Sequence, residues 1–185
     1  MARTPSVMIP LGFEAPKFAL LDVKSNLIMK SDDLFGKKGT LVMFICNHCP
    51  FVKHINQQIV QIANDYLNSG IKFIAISSND IINYPEDSPI EMKKNAIKEK
   101  FIFPYLYDKT QIVAKNYDAA CTPDFFGFDK NLKLKFRGRL DNSNMNKINN
   151  IERELFFSMI AISENKKVPY NNPSLGCSIK WRNDG

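Results

Sequence analysis

Along this chain apolar residues alternate with polar ones, run together, or recur at the helical turn, and these patterns divide it into elements. Residues 18–23 and 27–29 are strand-like runs separated by Lys24, Ser25 and Asn26, which predicts a hairpin. Ser31, Asp32 and Asp33 offer a cap for a short helix ending at Gly36. Residues 40–45 form an unbroken apolar run after a Gly-Lys-Lys-Gly turn, the pattern of a strand covered on both faces. From 50 to 68, Phe51, Ile55, Ile59, Ile62, Ala63 and Tyr66 recur at steps of three and four, so they share one helical face, and Gly70 ends the helix. A second buried strand over 71–77 follows at once. Residues 40–78 therefore read as a βαβ unit with parallel strands, whose C-terminal edge is where an open α/β sheet places its site.

Residues 79–88 read as an exposed loop, followed by a helix over 89–101, a strand over 103–107 and a short helix over 110–117. Residues 124–128 and 132–136 flank Asp129, Lys130 and Asn131 as an antiparallel hairpin. A last helix is expected over 145–162, with Ile148, Ile151, Leu155, Phe156 and Met159 on one side. The tail after Ser163 has no legible period. The fold class is α/β, in one domain over 1–185 with its core in 10–162 and a C-terminal tail over 163–185.

Composition narrows the function. With 185 residues, 44% of them apolar and 11% aromatic, the chain can bury one substantial core. The net charge of +6 is spread among interleaved acids and bases, without the basic stripe a nucleic-acid partner requires. The first ten residues lack the apolar core of a secretory signal, and no run approaches the roughly 20 apolar residues of a membrane span. The expectation is a soluble cytoplasmic protein with no membrane or nucleic-acid partner. Cys46, Cys49, Cys121 and Cys177 are too few for a disulfide scaffold and point to redox, metal or packing roles.

The densest chemistry is Cys46-Asn47-His48-Cys49-Pro50, which leaves a buried strand and opens an amphipathic helix. Pro50 suits the first helical position, which makes Cys49 the N-cap. A thiolate there meets free backbone N–H groups and the positive helix end, which can lower a thiol pKa from about 8.5 into the range of roughly 3.5 to 7.5. His48 either stabilises a thiolate or is an exposed loop residue; His54 reads as a surface or half-buried helix residue. A structural zinc site would need two more well-placed ligands, so no metal or cofactor is assigned. Thr122-Pro123, a Thr-Pro step entering a strand, could hold either peptide isomer.

The chain resembles the thioredoxin superfamily, most closely its peroxiredoxin-like branch with the alkyl hydroperoxide reductases. The segments that carry the resemblance are Gly12 to Phe18, Phe44 to Val52, Cys121 to Phe125 and Gly176 to Trp181. The resemblance implies a central mixed sheet flanked by helices and makes Pro123 a cis-proline facing the active cysteine. It also sets a register: Cys49 takes the nucleophilic first position of the dithiol motif, and the second position falls on Val52, which has no thiol. Cys46 then becomes the nearest resolving partner, with Cys121 second and Cys177 third if the tail folds back; the other reading of Cys121 and Cys177 is inert packing.

The expected function is thiol–disulfide exchange with a protein or small-molecule thiol or disulfide substrate, through Cys49, Cys46, His48, Pro123 and Cys121. An antioxidant thiol peroxidase is the main rival. This chain lacks the proline and the Thr or Ser that peroxiredoxins carry upstream of the cysteine, because that stretch here is Met43-Phe-Ile-Cys-Asn-His48. A Cu(I) carrier would need a distant histidine, and none follows His54. A redox-inactive binding module is the last alternative.

Overall fold

A computed structural model of the chain describes residues 3–143 and 150–182. Strand β1 (Arg3–Pro5) precedes a hairpin of β2 (Ala19–Asp22) and β3 (Leu27–Lys30), then a single turn of helix, α1 (Ser31–Leu34). Next come β4 (Gly39–Phe44), α2 (Pro50–Asp65), β5 (Ile71–Ser77), α3 (Pro89–Lys98), β6 (Tyr105–Tyr107) and α4 (Ile112–Asn116). The chain continues through β7 (Cys121–Thr122), β8 (Asp124–Asp129), β9 (Leu134–Gly138), α5 (Glu154–Ser163) and β10 (Leu175–Ser178).

Seven strands form one mixed sheet in the order β3-β2-β6-β5-β4-β8-β9, and β1-β10-β7 form a second, small sheet. Strands β4 and β5 pair in parallel and β4 pairs β8 antiparallel, which puts β4 near the sheet's centre. All six β4 residues are buried, as an unbroken apolar run requires. Alternate side chains serve opposite faces. Leu41 and Met43 pack with Ile55 and Ile59 of α2 and with Leu155 and Met159 of α5, whereas Val42 and Phe44 pack with Ile74, Tyr117 and Phe126. Helix α2 buries Val52, Ile55, Ile59, Ile62 and Ala63, and burying each large aliphatic side chain is worth about 1.5–3 kcal/mol. That stripe fixes the rotation of α2 and so the direction in which its N-terminus presents Cys49.

Several sequence expectations change. Residues 79–88 are an exposed loop only in part: Ile82, Asn83, Pro85 and Glu86 are exposed, but Asn79, Asp80 and Asp87 are buried, and a 3₁₀ turn spans Pro85–Asp87. The segment is clamped from the tail, where the Asp80 N–H donates to the Lys180 carbonyl at 2.8 Å and the Lys180 N–H donates to Asn79 Oδ1 at 2.8 Å. The last helix begins at Glu154 rather than Met145; residues 145–149 lie outside the described residues, and Ile151 is exposed. Its start is set by contacts that periodicity does not register: buried Glu154 takes Arg139 at 2.6 Å, and the Leu155 N–H donates to the Leu140 carbonyl. Ser31 does not cap α1, whose N-cap is Lys30; its hydroxyl accepts the Phe18 N–H instead. Strands β1, β7 and β10 carried no sequence signal. No helix among the described residues is long and apolar enough to cross a membrane.

Candidate active site

The site lies where β4 gives way to α2. The Ile45 N–H is still tied to the sheet through the Ile76 carbonyl at 3.0 Å, and the chain then turns through Cys46, Asn47 and His48. Cys49 is the N-cap of α2 in an extended conformation and Pro50 is the first helical residue, where its missing N–H costs no helical bond. Cys46 and Cys49 are both buried.

Thr122, on β7, holds both sulfurs. The Cys49 thiol donates to its carbonyl at 3.2 Å, and its hydroxyl lies 3.2 Å from Cys46 Sγ. The Thr122–Pro123 peptide is cis. The thiol of Cys49 is pulled down to about 5, first by a hydrogen bond from the Cys46 thiol, against the opposing effect of burial, then by the Cys177 thiol and by the N–H groups of Val52 and Cys177. The Val52 N–H lies in the first turn of α2, so the helix N-terminus contributes to holding the sulfur ionised. Cys46 is shifted the other way, well above the usual thiol range, by burial, then by Cys49 and the charge of Asp87. One sulfur is thus poised as thiolate beside another held as thiol.

The turn is anchored by Asp87. Its Oδ1 accepts the N–H groups of Asn47 at 2.7 Å and His48 at 3.1 Å; its Oδ2 lies 2.5 Å from His48 Nδ1 and accepts the Asn79 amide at 2.8 Å. Burial alone would raise this carboxyl, yet His48, Asn79 and the Asn47 N–H together hold it below its ordinary value. The His48 side chain is 9% exposed and stacked on Tyr84, so it is not a free loop histidine, and its ring is turned to Asp87. Cys46, His48 and Asp87 each offer a ligand atom within 4.8 Å of the others, a set that could receive a metal ion. Asp87 is already saturated by four donors there. His54 is exposed on α2 and lines a shallow cleft with Phe51, Pro123 and Leu175.

The other two cysteines separate. Cys121, on β7, turns its thiol to the Pro123 carbonyl at 3.7 Å and is raised by burial and by Asp124. Cys177, on β10, sits against Cys49 and is pushed up to about 12 by burial and then by Cys49 itself. Below the cis-proline, Asp124 and Arg137 form a fully buried ion pair; Asp124 also accepts the Ser6 hydroxyl at 2.6 Å, and the guanidinium lies 3.8 Å from the Phe126 ring centre. Sequence reasoning missed Asp87, Asn79 and Arg137, which belong to no motif, and it quoted Thr122 without a role.

A profile of the AhpC/TSA family matches residues 11–137. The chain belongs to the AhpC/TSA family. It is therefore a peroxiredoxin-like member of the thioredoxin superfamily, and its mixed sheet with flanking helices is the thioredoxin-like architecture. This AhpC/TSA chain is 48% identical to an uncharacterized conserved protein from Geobacillus kaustophilus, with TM-score 0.96 over 100% of this chain and 99% of that one. It is 35% identical to a hypothetical protein from Sinorhizobium meliloti, with TM-score 0.92 over 97% and 99%. A secreted disulfide oxidoreductase of Mycobacterium tuberculosis shares the fold at 17% identity and TM-score 0.54, over 63% and 79%. No match is found among curated proteins.

Proposed function

We propose that the protein is a thiol–disulfide oxidoreductase in which Cys49 attacks and Cys46 resolves. The observation that carries this reading is the opposed pair of sulfurs under Thr122: Cys49 lowered to about 5 at a helix N-cap, with the Cys46 thiol as its foremost hydrogen-bond donor. The Cys49 thiolate attacks one sulfur of a substrate disulfide, forms a mixed disulfide and releases the first substrate thiolate. Cys46 then gives up its proton and attacks Cys49 Sγ. The Cys46–Cys49 disulfide forms and the second substrate thiolate leaves, so two electrons have passed to the substrate.

The charge that Cys49 carries is one of the causes that raise Cys46, and it disappears in the mixed disulfide. The resolving thiol is thereby eased towards ionisation only after the first step. His48, held by Asp87, has a ring nitrogen within 4.8 Å of Cys46 Sγ and is the base assigned to that proton in this reading. Donors around Cys49 are thiols and backbone N–H groups, a setting for sulfur chemistry more than for the charged side-chain donors a peroxide oxygen would favour. A reducing compartment such as the cytoplasm fits a chain of four thiols.

The test is reduction of a small aromatic disulfide with dithiothreitol as electron source. Cys49→Ser is expected to abolish the catalysed rate and Cys46→Ser to lower it several-fold. Wild-type rates in Cys49→Ser would overturn the assignment.

A further inference from the structure

Cys49 is fully buried in a site whose chemistry belongs at a surface, and β10 is among the elements that bury it. This strand lies between β1 and β7, pairing antiparallel with both, and its register sets Cys177 directly opposite Thr122. Thr122 is the residue whose carbonyl accepts the Cys49 thiol at 3.2 Å. The Cys177 thiol and N–H both point their hydrogen-bonding capacity at Cys49 Sγ. An extended segment has thus been added to the edge of the short strand that carries the cis-proline, with a cysteine at the position facing the nucleophile, as a bound peptide strand would be.

Gly176 makes that fit possible. A Cβ at this position would meet the Thr122 carbonyl oxygen at 2.1 Å and its carbon at 2.6 Å, both backbone atoms that cannot swing aside. Only glycine lets β10 approach closely enough to seat Cys177 over Cys49.

Resting on the proposed role of Cys49, we propose that Cys177 is a third redox thiol, which receives the oxidised state from the Cys46–Cys49 pair as an intrachain Cys49–Cys177 disulfide. The Cys177 thiolate attacks Cys49 Sγ; the Cys46–Cys49 bond breaks as the Cys49–Cys177 bond forms. Cys46 leaves as thiolate and takes up a proton equivalent to the one Cys177 lost. The step is an isomerisation of disulfides and needs no further oxidant. Cys49 is the common neighbour of both thiols, each of which hydrogen-bonds its sulfur. Two of the causes that raise Cys177 are its hydrogen bond to Cys49 and the charge there, and both end once Cys49 is in a disulfide, while Lys180 acts to lower it. The result closes β10 covalently over the α2 N-terminus and frees Cys46.

The experiment is to oxidise the full chain with glutathione disulfide, quench with acid, alkylate the remaining thiols, and map every disulfide by mass spectrometry. Wild type, Cys46→Ser and Gly176→Ala are compared, with circular dichroism to confirm that each is folded. In Cys46→Ser most Cys49 is expected as the intrachain Cys49–Cys177 disulfide. In Gly176→Ala, which keeps every thiol but forces β10 away, that species falls at least several-fold while Cys46–Cys49 persists. Accumulation of Cys49 as the glutathione mixed disulfide in Cys46→Ser, with Cys177 alkylated, overturns the role of Cys177 and leaves Cys49 as nucleophile. Absence of any disulfide at Cys49 in wild type overturns the underlying reading as well.

Discussion

His48 Nδ1 lies 2.5 Å from Oδ2 of Asp87, a carboxylate 39 residues downstream that also holds the backbone of the turn in which His48 sits. Asp87 therefore sets both the path of residues 46–49 and the orientation of the imidazole. Its replacement leaves four donors without their acceptor in a buried site. We expect Asp87→Ala to lose about 3–5 kcal/mol of stability in urea unfolding, the range found when one member of a buried pair is removed. A loss under 1 kcal/mol would mean that the turn holds its shape without it.

Ultraviolet absorbance of the thiolate, followed against pH in the reduced protein, is expected to show one early transition near 5 from Cys49. Cys46, Cys121 and Cys177, all raised, ionise far later. In Cys46→Ala the early transition moves upward, because the largest lowering influence on Cys49 is gone. A first transition near the ordinary value of about 8.5 in the wild type would contradict the electrostatics of the site.

The same ionisation makes stability depend on pH. Cys49 is lowered on folding, so its contribution is complete above the unfolded value of about 8.5 and is lost as pH falls through about 5. Cys177 is raised to about 12, so its contribution is complete below about 8.5 and declines above it. Between pH 5 and pH 8.5 the Cys49 contribution therefore rises with pH while that of Cys177 is constant. Urea midpoints of the reduced wild type minus those of Cys49→Ala are expected to increase across that window; a flat difference would show that the folded thiol is not shifted.

Arg137 and Asp124 lie beneath the cis-proline strand with no solvent to take up an unpaired charge. Asp124→Ala is expected to cost about 3–5 kcal/mol, whereas replacing both by apolar residues of similar volume is close to neutral. Denaturant unfolding of the single and double variants separates the two outcomes. Equal losses in both would place the energy in shape rather than in charge.

The sheet was legible because its central strands are local patterns: the run at 40–45, the stripe from Phe51 to Tyr66 and the run at 71–77 each state their element within a few residues, and the observed β4–α2–β5 unit is parallel as that order demands. Cys49 at the N-cap followed from Pro50 in the same way. What escaped depends on partners far away in the chain. Asp87 sits in a stretch with no period and is buried only because the turn at Asn47 and the tail at Lys180 close over its loop. Strand β10 has no alternation to read, since four residues wedged between β1 and β7 draw their strand character from those neighbours. Arg137 sits in an otherwise ordinary hairpin, and its burial is explained only by Asp124 on the adjacent strand.

The most direct measurement is the mass of the double variant Cys46→Ala/Cys177→Ala after exposure to glutathione disulfide near pH 7, with the two thiols that hydrogen-bond Cys49 removed. A single glutathione per chain is expected, held stably on Cys49. An unmodified chain, or glutathione carried on Cys121 instead, would contradict it.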